Sequence, residues 1–322
     1  MATSSSYDFS ITRDEIIAAA YRKISAADKT EDLDADEVRV GAEALNVLAK
    51  AWMISGLQIW LEEEATLFLT AGQAKYSLGI ASTDHVTGEI DAARSTDGIT
   101  AMRVAGIATG TTLEVDSTVG MTSADPIGVV LDDQTIHWTT VGTVTDSDTV
   151  EITVALPSSA AIDNKVYHYT SKIQRPLRIN SIMRRSASNI DTPITLLSED
   201  EYQFLSRKGA QGHINEAYYD PRREALGELS VWVTASNETD SIYFSYYRPV
   251  QDFDSTADNP DFPIEWSRAL IYGLAYDLAP ENGIPVRERA LLRADRDDAK
   301  FDAMADDIED VSLFLMPDRR GY

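Results

Sequence analysis

The first sixty residues carry the apolar spacing of two amphipathic helices. Thr12 and Glu15 form the pattern of a capping box, and Asp34 with Glu37 repeats it. Apolar residues follow the first cap at helical intervals: Ile16, Ile17, Ala20 and Ile24. Those behind the second cap are Val38, Leu45, Leu48, Ala49 and Trp52. The pattern predicts an αα-hairpin with two thin apolar faces that need a partner surface.

From Ala65 the apolar period changes to two, which is typical of strands. The runs 66–69 and 76–78 flank Ala71-Gly72-Gln73, and this arrangement predicts a first β-hairpin.

Residues 99–170 are rich in Thr, Val and Asp, with turn residues at short intervals. This composition predicts a small all-β sandwich or barrel, inserted as its own module. Strand patterns continue from Arg175 to Tyr247, with one helix near residues 198–206.

The helical period returns after residue 250. Pro263 fits the first turn of a helix, and the apolar face behind it comprises Trp266, Ala269, Leu270, Gly273, Leu274 and Leu278. Pro280 and Gly283 end this helix. A second helix, 286–308, carries a narrow seam of residues: Ala290, Ala294, Asp297, Phe301, Met304 and Ile308.

Together these patterns predict an α+β protein with a helical core, strand regions, the inserted β module and an extended C-terminal segment. The predicted divisions are 1–80, the helical hairpin with the first β-hairpin; 81–170, the all-β module; 171–250, a mostly β region; 251–311, the C-terminal helices; and 312–322, an extended tail.

Composition narrows the functional classes. The chain has 322 residues, 43% of them hydrophobic, no cysteine and a net charge of -25. The lack of cysteine excludes disulfides and thiolate metal sites, and the acidic balance disfavours tight binding to nucleic acid. No apolar run is long enough to span a bilayer, so we expect neither a membrane segment nor a signal peptide.

No motif predicts a catalytic, metal or cofactor site. His85, His137, His168 and His213 are scattered, and none has a second histidine at metal-ligand spacing. The acidic run 28–39 has a leucine where a calcium loop needs glycine. Basic residues cluster at 175–185, 207–208 and 222–223. Without interleaved aromatics they are a weak signal for nucleic-acid readout, and salt bridges to acidic neighbouring subunits are an equally good interpretation.

The segment 312–318, Ser-Leu-Phe-Leu-Met-Pro-Asp, follows an acidic run and is apolar. Two interpretations stay open on physical grounds. The segment packs back onto its own domain, against the Trp266 helix, or it docks onto another protein.

Several short motifs occur in one order along the chain. They are Ile11-Thr12-Arg13-Asp14-Glu15, Trp52 with Gly56-Leu57 and Trp60, Gly72-Gln73-Ala74 with Tyr76 and Leu78-Gly79, Arg175-Pro176-Leu177-Arg178-Ile179, Arg248-Pro249, Asp261-Phe262-Pro263 with Glu265-Trp266, and Leu278-Ala279-Pro280. In this order the chain resembles the head-to-tail adaptor proteins of short-tailed phages, also called packaged-DNA stabilisation or head completion proteins. It departs from that pattern at Asn282, where an aromatic residue is commoner, and in residues 80–169.

The resemblance implies a structural virion protein rather than an enzyme, with no cofactor and no metal. Members form a ring, usually of twelve copies, beneath the portal, where the ring extends the DNA channel and carries the tail proteins. The implied partners are the portal protein, neighbouring copies, tail nozzle or tube proteins, and double-stranded DNA that passes without specific binding. The implied location is the head–tail interface of the virion, after assembly in the host cytoplasm, with no membrane partner.

The resemblance also assigns roles to residues. The expected portal-binding residues are Leu313, Phe314, Leu315, Met316, Pro317, Arg319, Arg320 and Tyr322. The residues expected to pack in the core or between subunits are Trp52, Trp60, Phe262, Trp266, Phe301 and Met304. Two other functions stay open: a tail-associated hydrolase of cell-wall or surface polysaccharide, which needs a carboxylate pair in one cleft, and a carbohydrate-binding protein that uses the β module.

Overall fold

The computed structural model describes residues 9–24, 33–53, 59–90, 98–222 and 225–305. It is mixed helix and sheet, which confirms the α+β class. The chain divides into a helical unit, Met1–Leu61 with Val250–Tyr322, and a β unit, Glu62–Pro249. The first division therefore falls at residue 61 instead of the predicted 80, because the strand that begins at Glu62 pairs with strands of the β unit.

The helical unit contains four of the described α-helices: α1 Arg13–Lys23, α2 Ala35–Met53, α4 Ser267–Leu278 and α5 Val286–Ala305. The short helix α3, Glu199–Phe204, belongs to the β unit. The capping box of α1 is confirmed, since the Thr12 amide donates to Glu15 Oε2 at 2.8 Å and the Glu15 amide donates to Thr12 Oγ1 at 3.4 Å. The predicted apolar face of α4 is buried along its length.

The strands of the β unit are numbered along the chain. They are β1 Glu62–Phe68, β2 Lys75–Leu78, β3 Val86–Thr87, β4 Ile99–Ala101, β5 Thr112–Glu114, β6 Pro126–Val130, β7 Ile136–Val144, β8 Thr149–Ile152, β9 Lys165–His168, β10 Arg178–Arg185, β11 Asp191–Pro193, β12 Thr195–Leu196, β13 Gln211–Gly212, β14 Glu216–Asp220, β15 Gly227–Trp232, β16 Thr234–Ala235 and β17 Ser241–Tyr247.

Two sheets of the β unit share one core and form a sandwich. One has the order β11-β10-β17-β1-β3, and the other has the order β12-β14-β15-β2. Leu67 and Phe244 of the first sheet and Tyr76 and Leu229 of the second belong to the same buried cluster. Successive side chains of a strand point to opposite faces of its sheet, so Leu67 and Phe244 face this core while their buried neighbours Phe68 and Tyr243 lie on the opposite face.

The predicted hairpin of β1 and β2 is wrong. β1 pairs with β17 and β3, whereas β2 pairs with β15, so the two strands lie in different sheets. The connection turns a corner between the sheets, where Gly72 has a φ of 79° and the Tyr76 hydroxyl donates to the Thr70 carbonyl at 3.1 Å. Both strands keep the period of two because both face the common core.

The inserted segment is a small closed barrel. Its six strands follow the order β4-β9-β6-β7-β8-β5. The two ends of this sheet meet, since the Arg103 amide donates to the Glu114 carbonyl at 2.8 Å and the Asp116 amide to the Ala101 carbonyl at 3.0 Å. A separate cluster, including Met102, Ile127, Val150 and Val166, fills the interior. The barrel thus has a core of its own, as the sequence predicts.

A shared aromatic cluster joins the barrel to the sandwich within the β unit. Phe68 of β1 contacts Trp138 and Tyr167 of the barrel, with ring centroids 5.0 and 4.8 Å apart. Glu238 adds a polar link, because its carboxylate accepts from the Ile136 amide at 2.9 Å and from the Ala71 amide at 3.2 Å. A fragment of residues 81–170 would lose these neighbours, and its independent folding stays a prediction.

Candidate interaction surface

Four aromatic residues predicted to pack together form the centre of the helical unit. Trp266 lies 5.9 Å from Trp52, 5.1 Å from Trp60 and 5.9 Å from Phe262, measured between ring centroids. Trp52, Phe262 and Trp266 are buried. Gly273 permits this packing, because a Cβ there would lie 2.8 Å from the Trp52 ring. These four residues therefore hold the N-terminal and C-terminal helices of this unit together.

As far as α5 is described, to Ala305, its predicted seam is exposed and does not pack within this chain. Ala299 and Ala303 are the buried residues of α5, whereas Phe301 is 74% exposed and Met304 is 36% exposed. Small alanine side chains let α5 approach its own unit closely, which leaves the large side chains of the seam on the outer face. Phe301 and Met304 are not core residues, and their packing between subunits stays a prediction.

All eight residues predicted to bind the portal lie outside the described residues. They fall within 313–322, beyond Ala305 at the end of α5.

The basic clusters of the β unit are engaged within that unit. Arg185 binds Asp191 through Nε at 2.8 Å and Nη2 at 3.0 Å, and its guanidinium lies 4.4 Å from the Tyr243 ring centroid. Arg222 lies 2.6 Å from Glu228, and Lys208 stacks over Tyr202. These described partners belong to the same chain, and salt bridges to neighbouring subunits stay a prediction.

A groove beside the barrel is the place to look for the two alternative functions, a polysaccharide hydrolase and a carbohydrate-binding protein. It encloses about 610 Å³, and the described lining comprises Glu89, Gly98, Ile99, Thr100, Ser117, Val119, Gly120, His168 and Thr170. Among the described lining residues, Glu89 is the one that carries a carboxylate. Its oxygens accept hydrogen bonds from the amides and hydroxyls of Thr170 and Ser171. This lining lacks the paired carboxylates of a glycosidase and the aromatic platform on which sugars stack.

The histidines lie in separate environments. His213 is exposed, and His137 lies on a strand of the barrel. His85 stacks on Trp138, with centroids 3.8 Å apart, and its Nδ1 lies 2.7 Å from the Tyr169 hydroxyl. Burial, followed by the charge of Lys172, lowers the pKa of His85 to about 4, against the opposing effect of Asp84. Burial also lowers the pKa of His168, although Asp125 and Glu89 oppose the shift.

We expect the β unit to lose stability as the pH falls from about 6.5 towards 4. Its folded state favours neutral His85, so protonation of the unfolded chain below the ordinary histidine pKa draws the equilibrium towards unfolding. At pH 4.5, two units below the ordinary histidine pKa, the cost should be about 2.5 kcal/mol, on the scale of about 1.4 kcal/mol per pKa unit. Urea unfolding at pH 7.0 and 4.5 should therefore give a smaller difference for His85→Gln than for the parent. The exposed control His213→Gln should keep the parent's difference, and an equal difference in all three proteins would contradict the assignment.

Comparisons with known proteins add no relative. The sequence matches no protein-family model and no curated protein. Among the described residues, no group of three or more His, Asp or Glu side chains could hold a metal ion. None of the described helices is both long and apolar enough to cross a bilayer.

Proposed function

We propose that this chain is a structural virion protein, a head-to-tail adaptor that forms a ring beneath the portal. The observation that carries the proposal is the exposure of large apolar side chains along α5, where Val286, Leu291 and Phe301 are 71%, 65% and 74% exposed. Exposed large apolar side chains on one helix favour a protein partner over solvent. The motif order that resembles the adaptor family supplies the identity of that partner.

In this proposal the helical unit forms the contacts between neighbouring copies. The aromatic cluster around Trp266 gives a rigid base, and the exposed face of α5 contacts the next copy. Residues 312–322 contact the portal, with Phe314 and Met316 as apolar anchors and Arg319, Arg320 and Tyr322 beside them. The ring would extend the DNA channel, retain packaged DNA and provide a platform for tail proteins.

The charge of the chain supports a channel through which DNA slides without being held. Residues 98–170 contain nine acidic and two basic residues, and the whole chain contains 53 acidic and 28 basic residues. A surface with this balance repels phosphate, so contact with DNA would be brief. The same repulsion between copies favours assembly on a portal over assembly in free solution at low salt.

We expect the purified protein to sediment mainly as a monomer and to form rings when portal rings are added. Sedimentation velocity in dilute buffer, with electron micrographs of the mixture, measures both states. Phe301→Glu should leave the monomer folded, because this side chain is already in solvent, but should reduce ring formation at least tenfold. Rings of the pure protein in dilute buffer, or no association with the portal, would argue against the proposal.

A further inference from the structure

The chain leaves α4 through a glycine-capped turn, residues 279–284. Gly283 has a φ of 71°, a left-handed conformation that glycine adopts without steric cost because it has no Cβ. The Ile284 amide donates to the Ala279 carbonyl at 3.0 Å. The Gly283 amide donates to the Pro280 carbonyl at 3.3 Å. These two bonds and the left-handed glycine form a Schellman motif, so the cap requires the backbone of the turn to keep its length.

Asn282 adds a side-chain cap to the same helix end. Its Nδ2 donates to the Leu278 carbonyl at 3.0 Å, and its main-chain amide donates to the same carbonyl at 3.2 Å. Carbonyls at the end of a helix are short of donors, so the side-chain amide stabilises this end. A carboxylate in its place would offer the carbonyl no donor, and its charge would be unfavourable at the C-terminal end of a helix.

The same residue pair is open to a covalent change. Among the asparagines of the sequence, Asn282 is the one that glycine follows. Glycine lets its main-chain nitrogen approach the side-chain carbonyl carbon of the preceding residue, because no Cβ obstructs the approach. Asn282 is exposed, and a Cβ built on Gly283 would lie more than 4 Å from its described surroundings. The turn is therefore accessible to water and uncrowded on the side of Gly283.

We propose that Asn282 is a site of spontaneous deamidation and that the modified turn no longer caps α4. The Gly283 nitrogen loses its proton to solvent and attacks Cγ of Asn282, and the Cγ–Nδ2 bond breaks with release of ammonia. The cyclic succinimide that results takes up water at one of its two carbonyl carbons. Breakage of the new bond yields aspartate, and breakage of the original peptide bond yields isoaspartate. The sequence of steps consumes one water and releases one ammonia, with no change of oxidation state.

The attack requires local opening of the cap rather than unfolding of the whole unit. The Gly283 amide must leave the Pro280 carbonyl, and the Asn282 side chain must leave the Leu278 carbonyl. Both bonds lie at the exposed end of a helix, where local opening costs less free energy than global unfolding. The bond to Pro280 is also longer than a typical amide hydrogen bond, at 3.3 Å. The folded turn therefore slows the reaction without preventing it.

Each product removes the cap in its own way. Aspartate lacks the Nδ2 donor and places a second carboxylate beside that of Glu281 at the end of α4. Isoaspartate lengthens the backbone before Gly283, which breaks the spacing of the two Schellman bonds. Because the turn connects α4 to α5, its loss weakens the restraint on the start of α5. The change accumulates with the age of the protein, and it does not depend on the adaptor function.

Mass spectrometry of the full-length protein during storage at pH 8.5 tests the site. Trypsin cleaves after Lys and Arg, so residues 269–287 form one peptide that contains Asn282. This peptide should gain the mass difference between an amide and a carboxyl group and separate into two forms, one of them a substrate of a protein isoaspartyl methyltransferase. Asn189 is exposed and followed by Ile190, and it should remain an amide in the same digest. No gain at Asn282, or an equal gain at Asn189, would overturn the proposal.

Two substitutions separate the reaction from its consequence. Asn282→Gln keeps an amide but lengthens the side chain, which disfavours ring closure, so modification should be at least tenfold slower. Asn282→Asp places one product directly and should lower the thermal midpoint of the helical unit, followed by circular dichroism at 222 nm, by about 2–4 °C. The control Asn189→Asp makes the same charge change in the β unit and should leave that midpoint unchanged. An unchanged midpoint for Asn282→Asp would contradict the loss of the cap.

Discussion

Deletion of residues 312–322 should abolish attachment to portal rings and leave the fold of the helical unit intact. The described core of this unit lies within residues 9–305 and includes the buried Trp266, Leu270 and Leu274. Each large apolar side chain of the deleted segment would contribute about 1.5–3 kcal/mol when buried on a portal. In a ring these contacts act together, so a modest binding free energy per copy gives stable attachment of the whole ring to the portal. Portal pull-down should fall at least a hundredfold, and the unfolding free energy should fall by no more than about 1 kcal/mol.

Two variants make this experiment specific. Phe314→Ala with Met316→Ala should reproduce the loss of attachment with the chain length unchanged. Arg22→Glu with Arg39→Glu should preserve attachment, because these exposed positions lie on α1 and α2, outside the proposed portal-binding segment. Normal attachment of the truncated protein would show that the segment is not the anchor. Unfolding of the truncated protein would show that the segment is part of the core.

The helix boundaries were predictable because local chemistry determines them. Thr12 and Glu15 lie three residues apart, and Pro280 and Gly283 follow α4 directly, so these signals need no knowledge of the rest of the chain. The pairing of β1 was not predictable in this way. Its partner β17 lies more than 170 residues away, and an alternating pattern indicates a strand without indicating its neighbour. Because β2 follows β1 closely in the sequence, a hairpin was the simplest prediction. Both strands can face the common core without pairing with each other, and they do so here.

The error on α5 has a different physical origin. The predicted seam combined the small Ala290 and Ala294 with the large Phe301 and Met304, and it left out Ala299 and Ala303. Close packing gave the buried side to Ala299 and Ala303 instead, because their short side chains let two helices approach.

Replacement of Trp266 by alanine should destabilise the helical unit by about 3–5 kcal/mol. Trp266 is 3% exposed and its ring contacts Trp52, Trp60 and Phe262, so the change removes an aromatic side chain from the centre of a cluster and leaves a cavity. Neighbouring rings cannot fill that space without leaving their own contacts. Urea unfolding followed by circular dichroism at 222 nm reports on this helical unit.

The matched control is Phe301→Ala, another aromatic deletion in the same unit. Phe301 is 74% exposed, so its removal should change the unfolding free energy by less than about 0.5 kcal/mol. The two substitutions should also differ in assembly. Phe301→Ala should stay folded and form fewer rings on the portal, whereas Trp266→Ala should form fewer rings because a larger fraction of the helical unit is unfolded. A loss below about 1 kcal/mol for Trp266→Ala would mean that the aromatic cluster does not hold the N-terminal and C-terminal helices together.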